Sequence, residues 1–165
     1  MHIINIVFKL SIILFIVFSL TVKAFSQEQI DDIEVIGISP LPGIEIDKNK
    51  VPNASQRLKE TDIDNSTATT IVDILGEKLT GVTIKDVQNS PFQKNLDYRG
   101  FTAAPLLGES QGLAVYLNGT RINEGFGDTL QWELVPEAAL TNIDLMSANP
   151  VFGLNALGGS LALTT

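Results

Sequence analysis

The sequence predicts an α+β domain: a small mixed β-sheet of four to five short strands, one main helix and long loops. Three observations carry this. Ile71, Ile74, Leu75 and Leu79 recur at helical spacing, and a strand-like run, Val82 to Val87, follows at once. Asn118-Gly119 stands between two β-prone runs, a strong hairpin signal because both residues tolerate positive φ. The connections between apolar runs are long and contain glycine. Strands of this length need neighbours to cover their faces, so the domain is expected to lean on something larger.

The elements follow in order. Residues 10–22 (LSIILFIVFSLTV) form an apolar run preceded by Lys9, with small residues Ala24 and Ser26 just before Gln27. That is the layout of a secretory signal peptide over residues 1–26. A membrane anchor from Ile3 to Val22 would bury Lys9 and is too short without it. Ile33 to Gly37 (IEVIG) reads as a short strand. Pro40, Pro42 and Pro52 remove backbone donors, so residues 38–56 read as an extended linker. Ser66 or Thr67 can cap the helix, and Thr70 with Asp73 resembles a shifted capping box. Gly81 suits its C-terminal end. Residues 88–112 read as loop with short extended pieces. Leu113 to Leu117 is a strand, Thr120 to Ile122 returns antiparallel, and Pro136 to Leu140 makes a helical turn. Asn142 to Met146 and Leu161 to Leu163 are the closing strands. The organisation is therefore a leader (1–26), a polar segment with linker (27–56) and a folded domain (57–165).

Composition excludes several functions. The chain has 165 residues, 44% of them apolar, enough for one packed domain. A net charge of −8 argues against nucleic acid as a partner. There is no cysteine, and the one histidine, His2, lies in the leader. Disulfides, thiolate metal sites and histidine-based triads are excluded, and no metal, cofactor or catalytic residue is expected. Asp62 and Asp64 read as a solvated helix entry, and Trp132 as a packed aromatic.

Six pieces, in order, resemble the plug domain of a TonB-dependent outer-membrane receptor over residues 30–165. They are IEVIG after Asp31-Asp32, TIVDILGEKLTGVTIKD, DYRGF, VYLNGTRIN, NIDLM and FGLNALGGSLALT. The resemblance implies that Asp32, Ile33, Glu34, Val35, Ile36 and Gly37 are the TonB box. Such a box pairs with the periplasmic domain of TonB by strand addition. It also implies that Arg99, Gly100, Arg121, Gly158 and Gly159 face the wall of a 22-stranded β-barrel, with Arg99 opposite acidic groups. Ser147, Ala148 and Asn149 stand where the family commonly has an arginine and glycine, so a second charge contact is not implied there.

A barrel of about 22 strands, each of roughly 9–11 residues, needs on the order of 220 residues before any loop. No stretch of 27–165 shows lipid-facing alternation. The expected function is thus the gating part of a receptor for energy-coupled uptake of an unidentified nutrient, in a truncated, split or incomplete receptor at the outer membrane. The alternative is a free periplasmic module that competes for TonB. An exported carboxylate enzyme is disfavoured by the absence of histidine and cysteine.

Overall fold

The computed structural model describes residues 34–37, 39 and 45–165. The expected signal peptide, Asp32, Ile33 and the Pro40-Leu41-Pro42-Gly43 run lie outside the described residues.

Ten strands make three sheets among the described residues. The largest has five strands in the order β3 (Ser55–Lys59), β9 (Asn142–Ser147), β10 (Gly159–Thr164), β7 (Leu113–Leu117) and β8 (Thr120–Arg121). Strand β10 is central. It runs antiparallel to β9, with Leu161 opposite Leu145, and parallel to β7, with Leu161 beside Val115. This is the small mixed sheet the sequence predicts. A second sheet is the meander β4 (Val82–Val87), β5 (Ser90–Tyr98) and β6 (Phe101–Ala103). The third is an antiparallel pair, β1 (Val35–Gly37) with β2 (Glu45–Asp47). The described residues hold two α-helices, α1 (Glu60–Asp64) and the main helix α2 (Ile71–Lys78).

Side chains alternate across the five-stranded sheet, so it has two buried faces. Leu58, Leu113, Val115, Ile143, Leu145, Leu161 and Leu163 point to one of them. There they meet Ile71, Val72, Ile74 and Leu75 of α2, and Leu96 and Tyr98 of β5. Ala114, Tyr116 and Met146 point to the other, where they meet Ile36, Phe152 and Ala156. Trp132 is buried in the larger cluster, and its indole donates to the Ala103 carbonyl at 3.4 Å.

The N-cap of α2 is Thr70, not Ser66 or Thr67, because Thr70 is the residue whose hydroxyl reaches the free amides of the first turn. Its Oγ1 accepts from the Asp73 amide at 3.3 Å and donates to the Asp73 carboxylate at 2.8 Å. The Glu137 carboxylate takes the Ile71 amide at 2.7 Å, satisfying another donor of the first turn. Asp62 lies inside α1, not at the entry to α2, and its carboxylate accepts the Lys59 amide.

Two stretches differ from the sequence reading. The first is 88–112, expected as loop with short extended pieces, which contains the nine-residue β5 as well as β6. They are made possible by two-residue turns in which both φ angles are positive, as type I′ hairpins require. Gln88-Asn89 joins β4 to β5, and Arg99-Gly100 joins β5 to β6. The second is 38–56, read as linker. Strand β2 lies inside it and pairs with β1, a 3-10 turn follows at Lys48–Lys50, and β3 begins at Ser55.

Candidate functional site

DYRGF and the Gly-Gly segment come together in space. Asp97, Tyr98 and Phe101 flank the Arg99-Gly100 turn, with Tyr98 directly opposite Phe101. The Asp97 carboxylate accepts the Gly100 amide at 3.1 Å and so fixes the turn. Tyr98 is buried, while Arg99 and Gly100 are exposed. The Arg99 guanidinium lies over the Tyr98 ring, 5.1 Å from its centroid, a cation–π contact.

Gly158 and Gly159 lie against this hairpin. A Cβ on Gly158 would fall 2.2 Å from the Phe101 ring, and one on Gly159 would fall 2.6 Å from the Met146 carbonyl oxygen and 3.3 Å from the Tyr98 ring. The close approach made by the two glycines is thus to aromatic side chains and backbone of their own chain. Arg99 is thus an exposed cation on a turn that the Asp97 carboxylate ties back to β5.

Arg121 lies on β8 after the Asn118-Gly119 turn. Its Nη2 donates to Asp128 Oδ1 at 2.5 Å, and its Nε to Asn123 Oδ1 at 3.4 Å. Asn123 continues the edge of β7 with its side chain. Its Oδ1 accepts the Val115 amide at 2.7 Å, and its Nδ2 donates to the Leu113 carbonyl at 3.0 Å. Arg121, Asn123, Asp128 and Gln111 line an open cavity of about 500 Å³, bordered by Leu154 and Asn155. Arg121 is therefore neutralised by Asp128, whereas among the described residues the contact shown for the Arg99 guanidinium is the Tyr98 ring beneath it.

The segment Glu34 to Gly37 is docked as β1. Glu34 forms an ion pair with Lys48 at 2.9 Å, closing the β1–β2 hairpin. Ile36 is 0% exposed, and the Gly37 amide donates to Asp144 Oδ2 at 3.3 Å. That carboxylate belongs to an ion pair the sequence reading missed. Arg57 on β3 lies directly opposite Asp144 on β9 and grips it with two bonds, at 2.6 and 2.7 Å. Their side chains are only 9% and 7% exposed. The hydrogen bond to Asp144 holds the Arg57 guanidinium above its ordinary value against the opposing effect of burial. A third Arg57 bond reaches Glu45 of β2 at 3.4 Å. The available signal was an acid inside an otherwise apolar strand, NIDLM, and a base inside SQRLK.

Asp73 and Lys94 form another ion pair, at 2.6 Å, tying α2 to β5. Burial pushes the Asp73 carboxyl up, but hydrogen bonds from Lys94 and Thr70 outweigh it and hold it below the usual carboxylate range. Among the described residues, no group of histidine, cysteine and acidic side chains is placed to hold a metal ion. No helix among them is long and apolar enough to cross a membrane.

The TonB-dependent Receptor Plug Domain family matches residues 47–160. No curated protein matches the chain. Solved structures share the fold at low identity. The ferric yersiniabactin uptake receptor FyuA from Yersinia pestis matches with a TM-score of 0.51 and 17% identity, over 68% of this chain and 17% of that one. A double mutant of the Serratia marcescens hemophore receptor HasR, in complex with its hemophore HasA and heme, matches with 0.51 and 21%, over 70% and 17%. The siderophore receptor PirA from Acinetobacter baumannii matches with 0.50 and 20%, over 67% and 17%. The chain thus spans about a sixth of the length of these receptors. With the family matched over most of its length, the chain belongs to the TonB-dependent receptor plug domains.

Proposed function

We propose that this plug gates an outer-membrane receptor for energy-coupled nutrient uptake, and that residues 32–37 are the segment by which it engages TonB. Plug domains of this family are gating modules of transport receptors, not enzymes, and their context is the outer membrane. The plug sits in a barrel of about 22 strands, and a scarce nutrient binds above it. The periplasmic domain of TonB pairs with the segment by strand addition, and the energy supplied through TonB shifts or partly unfolds the plug. Arg99 and its Gly100 neighbour meet acidic groups on the barrel wall. Arg121, Gly158 and Gly159 support that surface.

The observation that carries this reading is β1: a three-residue strand in a sheet of its own, apart from the main sheet. The Lys48 amide donates to the Glu34 carbonyl, so Glu34 and Ile36 face β2 with their backbone groups. Val35 and Gly37 then turn theirs the other way, as the Gly37–Asp144 bond requires. A Val35→Pro change removes a donor from the outward edge and spares the bonds to β2.

The test is capture of the chain by the TonB periplasmic domain. Wild type is expected to bind, and Val35→Pro to lose at least tenfold in affinity. Binding that survives the substitution sinks strand addition. Absence of any binding by wild type removes TonB as the partner.

A further inference from the structure

We propose that Asn118-Gly119 is a latent site of spontaneous deamidation, sealed by the bonds Asn118 makes to the end of β10 and opened when that end lets go. The pair is the one Asn-Gly in the sequence. Glycine leaves its amide nitrogen unscreened by a side chain, so an asparagine before glycine is the least protected from attack by its own backbone. Asn118 is exposed and stands in the two-residue turn that joins β7 to β8.

The reaction needs only water. The Gly119 nitrogen attacks Asn118 Cγ. An N–Cγ bond forms, the Cγ–Nδ2 bond breaks, and ammonia leaves with the proton from the Gly119 nitrogen. Water then opens the cyclic imide at one of its carbonyls, to aspartate or to isoaspartate. Ring closure requires the Asn118 Cα–C bond to turn until the Gly119 nitrogen lies beside Cγ. The folded turn opposes this. Its φ angles of 49° and 82° belong to a type I′ arrangement, fixed by the pairing of Leu117 with Thr120. The side chain is held as well. Asn118 Oδ1 accepts the Thr165 amide at 3.0 Å, and Nδ2 donates to Thr165 Oγ1 at 2.8 Å. The Asn118 amide donates to the Leu163 carbonyl at 2.9 Å. All three bonds reach the end of β10, where Thr165 is exposed, and strand ends open locally before strand centres.

The two products differ in effect. Aspartate remakes both side-chain bonds, with Thr165 Oγ1 turned to donate. Isoaspartate adds a main-chain carbon to the turn. The β7–β8 register that sets Arg121 beside Asn123 and Asp128 is then lost.

Peptide mass spectrometry of the full chain, kept in mildly alkaline buffer, tests the proposal. Asn118 is expected to convert at least tenfold more slowly in the folded chain than in urea. Thr165→Ala removes the hydroxyl bond and is expected to speed Asn118 at least threefold. Thr165→Pro removes the amide donor as well and is expected to speed it at least tenfold. Asn89-Ser90, at the β4–β5 turn, is the reference and is expected to keep its wild-type rate. Equal rates at Asn118 in the folded chain and in urea overturn the proposal, as do wild-type rates in both Thr165 variants. So does a rise at Asn89 in step with Asn118, which marks global unfolding, or an Asn118 that stays intact in urea.

Discussion

At Gly159 one added carbon would collide with the Met146 carbonyl, and backbone cannot step aside as a flexible side chain can. Gly159→Ala is expected to cost about 1–3 kcal/mol of stability, measured by denaturant unfolding. Gly100→Ala is the contrast. Its φ is +85° but nothing lies within 4 Å, so only left-handed strain of about 1 kcal/mol is expected. The Asp73 carboxyl has its own signature. Its folded pKa lies below the ordinary value of 3.8, so the unfolded chain binds more protons as pH falls. The stabilisation is present in full above the ordinary value and is lost as pH falls through the depressed one. Asp73→Asn is therefore expected to lower stability at neutral pH and to flatten its decline on the acid side below about pH 4, followed by urea midpoints at stepped pH.

Hairpin turns decide how much of the elements could be read from sequence. Asn118-Gly119 was legible because each of its residues is known for positive φ, and its hairpin is there, with φ of 49° and 82°. Arg99-Gly100 makes the same kind of turn with one such residue, and Gln88-Asn89 with Asn alone, so the meander β4–β5–β6 was hidden in what reads as loop. Helix α2 was plain from its spacing, but its cap reads from the sequence as Ser66 or Thr67, because any hydroxyl before the helix fits the local pattern and only the backbone geometry selects Thr70. The candidate site divides the same way. Arg99, Arg121 and the Gly-Gly pair were found by motif, but their neighbours were not. That Phe101 covers Gly158 depends on how two sheets meet. That Asp144 answers Arg57 depends on register between strands 87 residues apart, which local pattern cannot supply. Gln88 sits at φ 53° without a side chain suited to it. Gln88→Asn is expected to raise stability by up to about 1 kcal/mol, read from the thermal midpoint.

Across the whole molecule, the order β3-β9-β10-β7-β8 makes β10 the strand on which the main sheet depends. It bonds β9 on one side and β7 on the other, and Leu161 and Leu163 are buried between them. A chain stopped at Gly158 is expected to lose cooperative unfolding altogether, seen as a broad, sloping transition by circular dichroism. A retained sharp transition would mean that β7 and β9 can close without it. This placement has a consequence in time. The strand at the centre is the last of the ten to leave the ribosome, so every earlier strand of the main sheet emerges before its keystone exists. β7 and β9 wait with bare inner edges, and β3 waits for β9. The main sheet stays open until residues 159–164 pair into its centre, so its bare strand edges are exposed to aggregation and proteases until that strand is in place.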